Sequence, residues 1–101
     1  MSYAYESRRA RGGNTASVAQ NTQVAVSIPA TATKFDIVST VTGARYVVSN
    51  TNAALTKTAT NMGYLVANIP AANQIMPGTD TWIILNSDVS GPAVIYITFY
   101  N

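Results

Sequence analysis

From residue 22 onward the apolar side chains fall on alternate positions, and the alternating runs are broken by proline, glycine or asparagine. A period of two places successive side chains on opposite faces of an extended strand, so the chain is constrained to build sheets with one buried face. In residues 22–28, Val24, Val26 and Ile28 point one way while Gln23, Ala25 and Ser27 point the other, and Pro29 follows. Proline donates no ladder hydrogen bond and ends the strand. Residues 34–41 and 44–50 flank Thr42-Gly43, a pair suited to a tight hairpin. That hairpin sets Val41 opposite Ala44, Ser39 opposite Tyr46, and Ile37 opposite Val48. One face then carries Phe35, Ile37, Val41, Tyr46 and Val48. The other carries Asp36, Val38, Thr40, Arg45, Val47 and Ser49.

Further along, residues 55–60 read as a short exposed strand and residues 64–69 as another that Pro70 ends. Residues 71–79 read as a connection with a Pro77-Gly78 turn. Residues 81–86 and 92–100 form a final pair, the most hydrophobic runs of the chain, and belong in central positions. No segment carries a sustained helical stripe. Six to eight short strands with turn residues between them predict an all-β fold, an antiparallel β-sandwich of jelly-roll or Ig-like topology.

Residues 1–20 lack this alternation. They are polar, rich in Ala, Ser and Gly, and include Gly12-Gly13-Asn14. The segment reads as an extended, flexible, basic arm in front of a sandwich domain at residues 21–101. The arm also holds the net charge. Arg8, Arg9 and Arg11 outnumber Glu6, whereas Lys34, Arg45 and Lys57 balance Asp36, Asp80 and Asp88 in the body. Charged residues make up 10% of the chain, against about 25% in an ordinary soluble protein. A neutral surface of Thr, Asn, Ser and Ala lacks the charge that keeps free monomers apart. A 101-residue domain buries only roughly 60–65% of its unfolded surface and gains from support. With no cysteine there is no disulfide, which leaves oligomerisation or docking on a larger assembly.

The residue inventory points away from catalysis. There is no histidine, and the body's carboxylates are Asp36, Asp80 and Asp88. Asp80 and Asp88 sit in turn sequences, where an aspartate bonds nearby backbone N–H groups. A serine or threonine nucleophile needs a base, and only Lys34 and Lys57 offer one. No phosphate-cradling motif occurs, and three scattered aspartates do not compose a calcium or magnesium site. We expect no enzyme activity, no metal and no cofactor. No apolar run is long enough for a signal-peptide core or for the about 20 residues that span a bilayer. Cytoplasmic synthesis and no membrane partner are therefore the expectation.

Two features point to partners. Arg8, Arg9 and Arg11 offer bidentate contacts to an acidic protein surface or to phosphates. Tyr3 and Tyr5 alternate like one face of an added strand, which favours docking on protein. Three arginines are few for nucleic-acid affinity, so nucleic acid is not the expected partner. In the last strand, Ile95, Ile97 and Phe99 make one face, and Val94, Tyr96, Thr98 and Tyr100 the other. The first covers the domain's core. The second lies against another sheet or, as tyrosine enrichment suggests, forms a subunit interface. Trp82, flanked by Ile83, Ile84 and Leu85, reads as core packing, with a sugar-stacking platform as its alternative.

The ending Thr81-Trp82-Ile83-Ile84-Leu85-Asn86 and Pro92-Ala93-Val94-Ile95-Tyr96-Ile97-Thr98-Phe99-Tyr100, behind a cysteine-free body rich in Ala, Thr, Val and Asn, resembles small virion proteins of tailed phages. The resemblance is one of layout and composition and carries no diagnostic motif. It implies a β-sandwich or β-tulip capsid decoration (cement) protein, a homo-oligomer and often a trimer, that clamps the major capsid protein at the virion surface. It implies that the arm, with Tyr3, Tyr5, Arg8, Arg9 and Arg11, orders on the shell. An arginine-bearing arm before a β-domain is also similar to the coat proteins of small RNA viruses, whose jelly rolls are longer and arms more basic. Two other functions fit the residues: a carbohydrate-binding or adhesin module using Trp82 or exposed tyrosines, and a nucleic-acid-binding β-barrel.

Overall fold

Val24 and Val26, the alternating pair that opens the pattern, belong to the second of eight strands in the computed structural model, which describes residues 10–50, 63–75 and 81–101. The strands are β1 (Ala10–Val18), β2 (Thr22–Ser27), β3 (Lys34–Ser39), β4 (Ala44–Ser49), β5 (Gly63–Tyr64), β6 (Ala71–Ile75), β7 (Trp82–Ser87) and β8 (Ala93–Tyr100). They form two four-stranded sheets, β1-β8-β3-β6 and β2-β7-β4-β5, here called A and B, and every pairing is antiparallel. The described residues contain no helix.

The two most hydrophobic runs occupy the centres of the sheets, as expected, with β8 between β1 and β3 and β7 between β2 and β4. They are not a pair, however, because they lie in different sheets. The expected hairpin is corrected in the same way. β3 pairs with β8 and β6, while β4 pairs with β7 and β5, so Ile37 lies opposite Ile97 and Val48 opposite Ile83. The physical reason is that alternation specifies which side chains face the core, not which strand lies alongside. Phe35 and Tyr46 do meet, but from opposite sheets across the core, their rings 5.9 Å apart and perpendicular. A T-shaped pair of this kind is favourable beyond its buried area.

The core is assembled from both inner faces. Sheet A supplies Ala16, Val18, Phe35, Ile37, Ala93, Ile95, Ile97 and Phe99, and sheet B supplies Val26, Ala44, Ile83 and Leu85. Leu65 closes one end through reciprocal bonds along the β3–β4 connection: Gly43 N–H donates to Leu65 O at 2.9 Å, and Leu65 N–H donates to Ala44 O at 2.8 Å. Gly43 itself has φ 114°, and a Cβ there would stand 2.6 Å from Val89 Cγ2. Gly43→Ala is therefore expected to destabilise the domain by about 1–3 kcal/mol, read as a lower urea midpoint at unchanged slope.

Three segments fold otherwise than expected. Residues 10–18, placed in the arm by their composition, form β1 and pair with β8 from Ala10↔Tyr100 to Val18↔Ala93. Among the described residues the sandwich therefore includes residues 10–18, ahead of the expected boundary at residue 21. In residues 64–69 only Tyr64 is in a strand. The chain then turns at Val66–Ile69, with Ile69 N–H donating to Val66 O at 3.1 Å and Asn68 at φ 61°, a conformation asparagine tolerates. Beyond Pro70, where a connection was expected, Ala71–Ile75 forms the edge strand β6. The expected strand at 55–60 and the Pro77-Gly78 turn lie outside the described residues.

Among the described residues Tyr46 carries a clear electrostatic consequence of packing. Its hydroxyl donates to Gln74 Oε1 at 3.3 Å, and burial raises its pKa above the ordinary value of 10.0. The unfolded chain releases this proton first, so Tyr46 leaves stability intact below about pH 10 and erodes it as pH rises toward the higher folded value. Urea unfolding between pH 9 and 11 should show an alkaline loss that is smaller in Tyr46→Phe.

Candidate interaction surfaces

The ladder of sheet A gathers the outward row of β8 into one surface. Val94 and Tyr100 are partly buried, while Tyr96 and Thr98 are exposed, Tyr96 at 48% of its area. Register supplies their neighbours. Tyr96 lies between Thr15 of β1 and Val38 of β3, Val94 lies opposite Ser17, and Thr98 lies between Gly13 and Asp36. The row expected to form an interface thus sits at the middle of an outer sheet face. Neighbouring uncharged side chains surround Tyr96 there, and Lys34 and Asp36 lie toward one end. The inward row, Ile95, Ile97 and Phe99, is buried as expected.

The outer face of sheet B differs. Ile84 and Asn86 are fully buried in its middle although they alternate with the core residues Ile83 and Leu85, so solvent does not reach its centre. Trp82 belongs to this outer face. It pairs with Ser27 and Ser49 and is partly buried. The reading of Trp82 as core packing is therefore corrected: alternation gives the inward positions to Ile83 and Leu85.

Four connections meet at one end of the sandwich: residues 19–21, 40–43, 65–70 and 88–92. Gln20 Nε2 donates to Asp88 O at 3.3 Å, Ala67 N–H to Thr42 Oγ1 at 2.9 Å, and Asn68 N–H to Ser39 O at 2.8 Å. Arg45 ties this end together, 3.5 Å from Asp88 Oδ2 and 5.3 Å from the centroid of the Tyr64 ring. Asp88 was expected to act as a turn residue, but its side chain takes the ion pair, and Ser87 Oγ accepts Val89 N–H at 3.1 Å in its place. Half-exposed pairs of this sort contribute at most about 1 kcal/mol. The same end presents Tyr64 at 56%, Val66 at 43% and Ile69 at 61% exposure. Reading 64–69 as a strand concealed this apolar corner. Its only sequence signal is the Asn68-Ile69-Pro70 run, which breaks the alternation.

Tyr3, Tyr5, Arg8 and Arg9 lie outside the described residues, as do Lys57 and Asp80. Arg11 is placed by its backbone in β1. Among the described residues Asp36 and Asp88 stand on different elements, on the outer face of β3 and in the β7–β8 connection. No group of three potential metal ligands occurs among the described residues.

No protein-family model, no curated protein and no solved structure matches this chain.

Proposed function

We propose that this chain is a structural subunit of a virion, a capsid decoration (cement) protein that self-associates and binds the major capsid shell. The observation that carries the reading is the open outer face of sheet A. Tyr96 stands exposed among the uncharged residues Val94, Thr98, Thr15 and Val38 on a charge-poor body. An amphipathic aromatic on a rigid sheet, with the face's Lys34 and Asp36 set toward one end, is what a protein partner desolvates at low entropic cost. We read the strand orders β1-β8-β3-β6 and β2-β7-β4-β5 as a jelly roll, two four-stranded sheets with successive strands mostly alternating between them. Viral capsid domains use this architecture, and so do lectins and cupins. The trimeric state follows the phage resemblance. The arm, with Tyr3, Tyr5, Arg8 and Arg9, completes the proposal as the segment that reaches the shell, and Arg11 follows it in β1.

Cosedimentation tests the reading. The chain should pellet with capsid shells produced by the genome that encodes it, and shells stripped of it should lose heat resistance. A chain that stays in the supernatant with those shells contradicts it.

A second reading, carbohydrate binding, is favoured by one observation: Trp82 is on an outer face, beside Ser27 and Ser49. Trp82→Phe should weaken glycan binding at least about tenfold if stacking operates there. An array without hits removes this alternative.

A further inference from the structure

Among the described residues the two sheets have four edges, and three of them carry a device that blunts pairing with another chain. β1 has a register shift between Ala10 and Gly12, where Gly12 takes φ 127°. β6 has a register shift of its own opposite Phe35 and Ile37 and follows Pro70 directly. β5 is two residues long. Bulges, prolines and short lengths are the usual means of protecting an edge.

β2 has none of these. Its register with β7 runs unbroken from Thr22↔Ser87 to Ser27↔Trp82. The strand contains no proline or glycine, and no charged residue occurs between Arg11 and Lys34. The phase of its ladder is set where Ile28 N–H donates to Thr81 O. Alternate residues of an antiparallel edge strand bond inward, so the backbone N–H and C=O of Ala25 and Ser27 point away from β7. Among the described residues no strand pairs with this neutral, regular edge, and an edge of this kind is a template for another strand.

We infer that β2 pairs antiparallel with β2 of a second copy of this chain, across a two-fold axis at Ala25, joining two B sheets into one of eight strands. The sequence around that axis is self-complementary. A two-fold normal to the sheet maps each face onto itself, so opposite residues must have the same parity. Centring on Ala25 sets Val24 against Val26 of the second copy on the core side, and Gln23 against Ser27 on the outer side. Ala25 meets its own counterpart, exchanging two backbone bonds with no bulk and no charge in the way. Val24, now only partly buried, gains cover from the facing valine. The contact also closes: it uses both β2 edges, and the far edge of each B sheet is the two-residue β5, so the ribbon does not propagate. The inference is independent of the capsid reading and uses a different surface from Tyr96.

Sedimentation velocity on the full chain carrying Tyr96→Asp isolates this contact from the face of sheet A. The expected result is a dimer of the 10.7 kDa chain. Adding Ala25→Lys should raise its dissociation midpoint more than about tenfold by placing like charges opposite each other. An equimolar mixture of the Ala25→Lys and Ala25→Glu chains should restore it. Because the chain has no cysteine, Ala25→Cys should oxidise to a covalent dimer, a conservative change that leaves the fold intact. A monomer at every concentration, a dimer indifferent to the charge at residue 25, or an Ala25→Cys chain that does not cross-link would overturn the pairing.

Discussion

Phe35→Ala is expected to remove about 3–5 kcal/mol of stability, the largest loss of any single truncation considered for this domain. Phe35 is fully buried. It stands in β3 opposite Phe99 of β8 and Gln74 of β6, and its ring meets Tyr46 from the other sheet edge-on. Truncation therefore opens a cavity where the two sheets meet, and well-packed surroundings collapse only partly into it. A domain of this size has a total stability of about 5–15 kcal/mol. The variant should accordingly melt at least about 12 °C lower and be partly unfolded at room temperature if the parent lies at the low end. Thermal denaturation followed by circular dichroism measures this. Thr98→Ala, an exposed change on the neighbouring strand, serves as the control and should stay within about 0.5 kcal/mol of the parent. A Phe35→Ala chain that melts with the parent would contradict the two-sheet core.

The second large effect is on association. Tyr96→Asp should weaken binding through the outer face of sheet A by about 2–4 kcal/mol, a factor of roughly 30 to 1,000 in affinity. It removes the aromatic at the centre of the face and leaves a carboxylate to be desolvated there. Folding should be nearly unaffected, because Tyr96 is already half-exposed in the isolated chain. Tyr96→Phe, which keeps the ring, should retain most of the affinity. An unchanged affinity in Tyr96→Asp would remove sheet A's outer face from the interface.

How much of this was legible in the residues depends on how strongly each strand is patterned. β2, β3, β4, β7 and β8 carry branched or aromatic side chains on alternate positions, and each lies within a residue or two of its expected bounds. The two faces of β8 were separated correctly because Ile95, Ile97 and Phe99 leave no ambiguity about which side is wet. β1 was hidden because an edge strand needs little apolar surface. Ala16 and Val18 are its only buried residues among those described, and Gly-Gly-Asn-Thr looks like a linker. β6, with Ala71-Ala72-Asn73-Gln74, was hidden for the same reason.

Pairing was beyond reach for a different cause. Thr42-Gly43 is compatible both with a hairpin and with a step between sheets, and in each case Phe35, Ile37, Tyr46 and Val48 face the same core. What decides it is non-local: β7 and β8 are the best-buried strands and take the central slots on either side, which separates β3 from β4. The interaction surfaces inherit this limit. The Tyr96 row follows from alternation alone, whereas the Arg45–Asp88–Tyr64 contact joins three segments that only the topology brings together.

The proposal that this charge-poor sandwich is a subunit of a larger shell is tested most directly by its occupancy on particles. Gradient-purified capsids produced by the encoding genome should carry the chain in a fixed ratio to the major capsid protein, and Tyr96→Asp should lower that ratio at least tenfold at limiting concentration. Particles devoid of the unmodified chain, or equally occupied by Tyr96→Asp, would contradict the account.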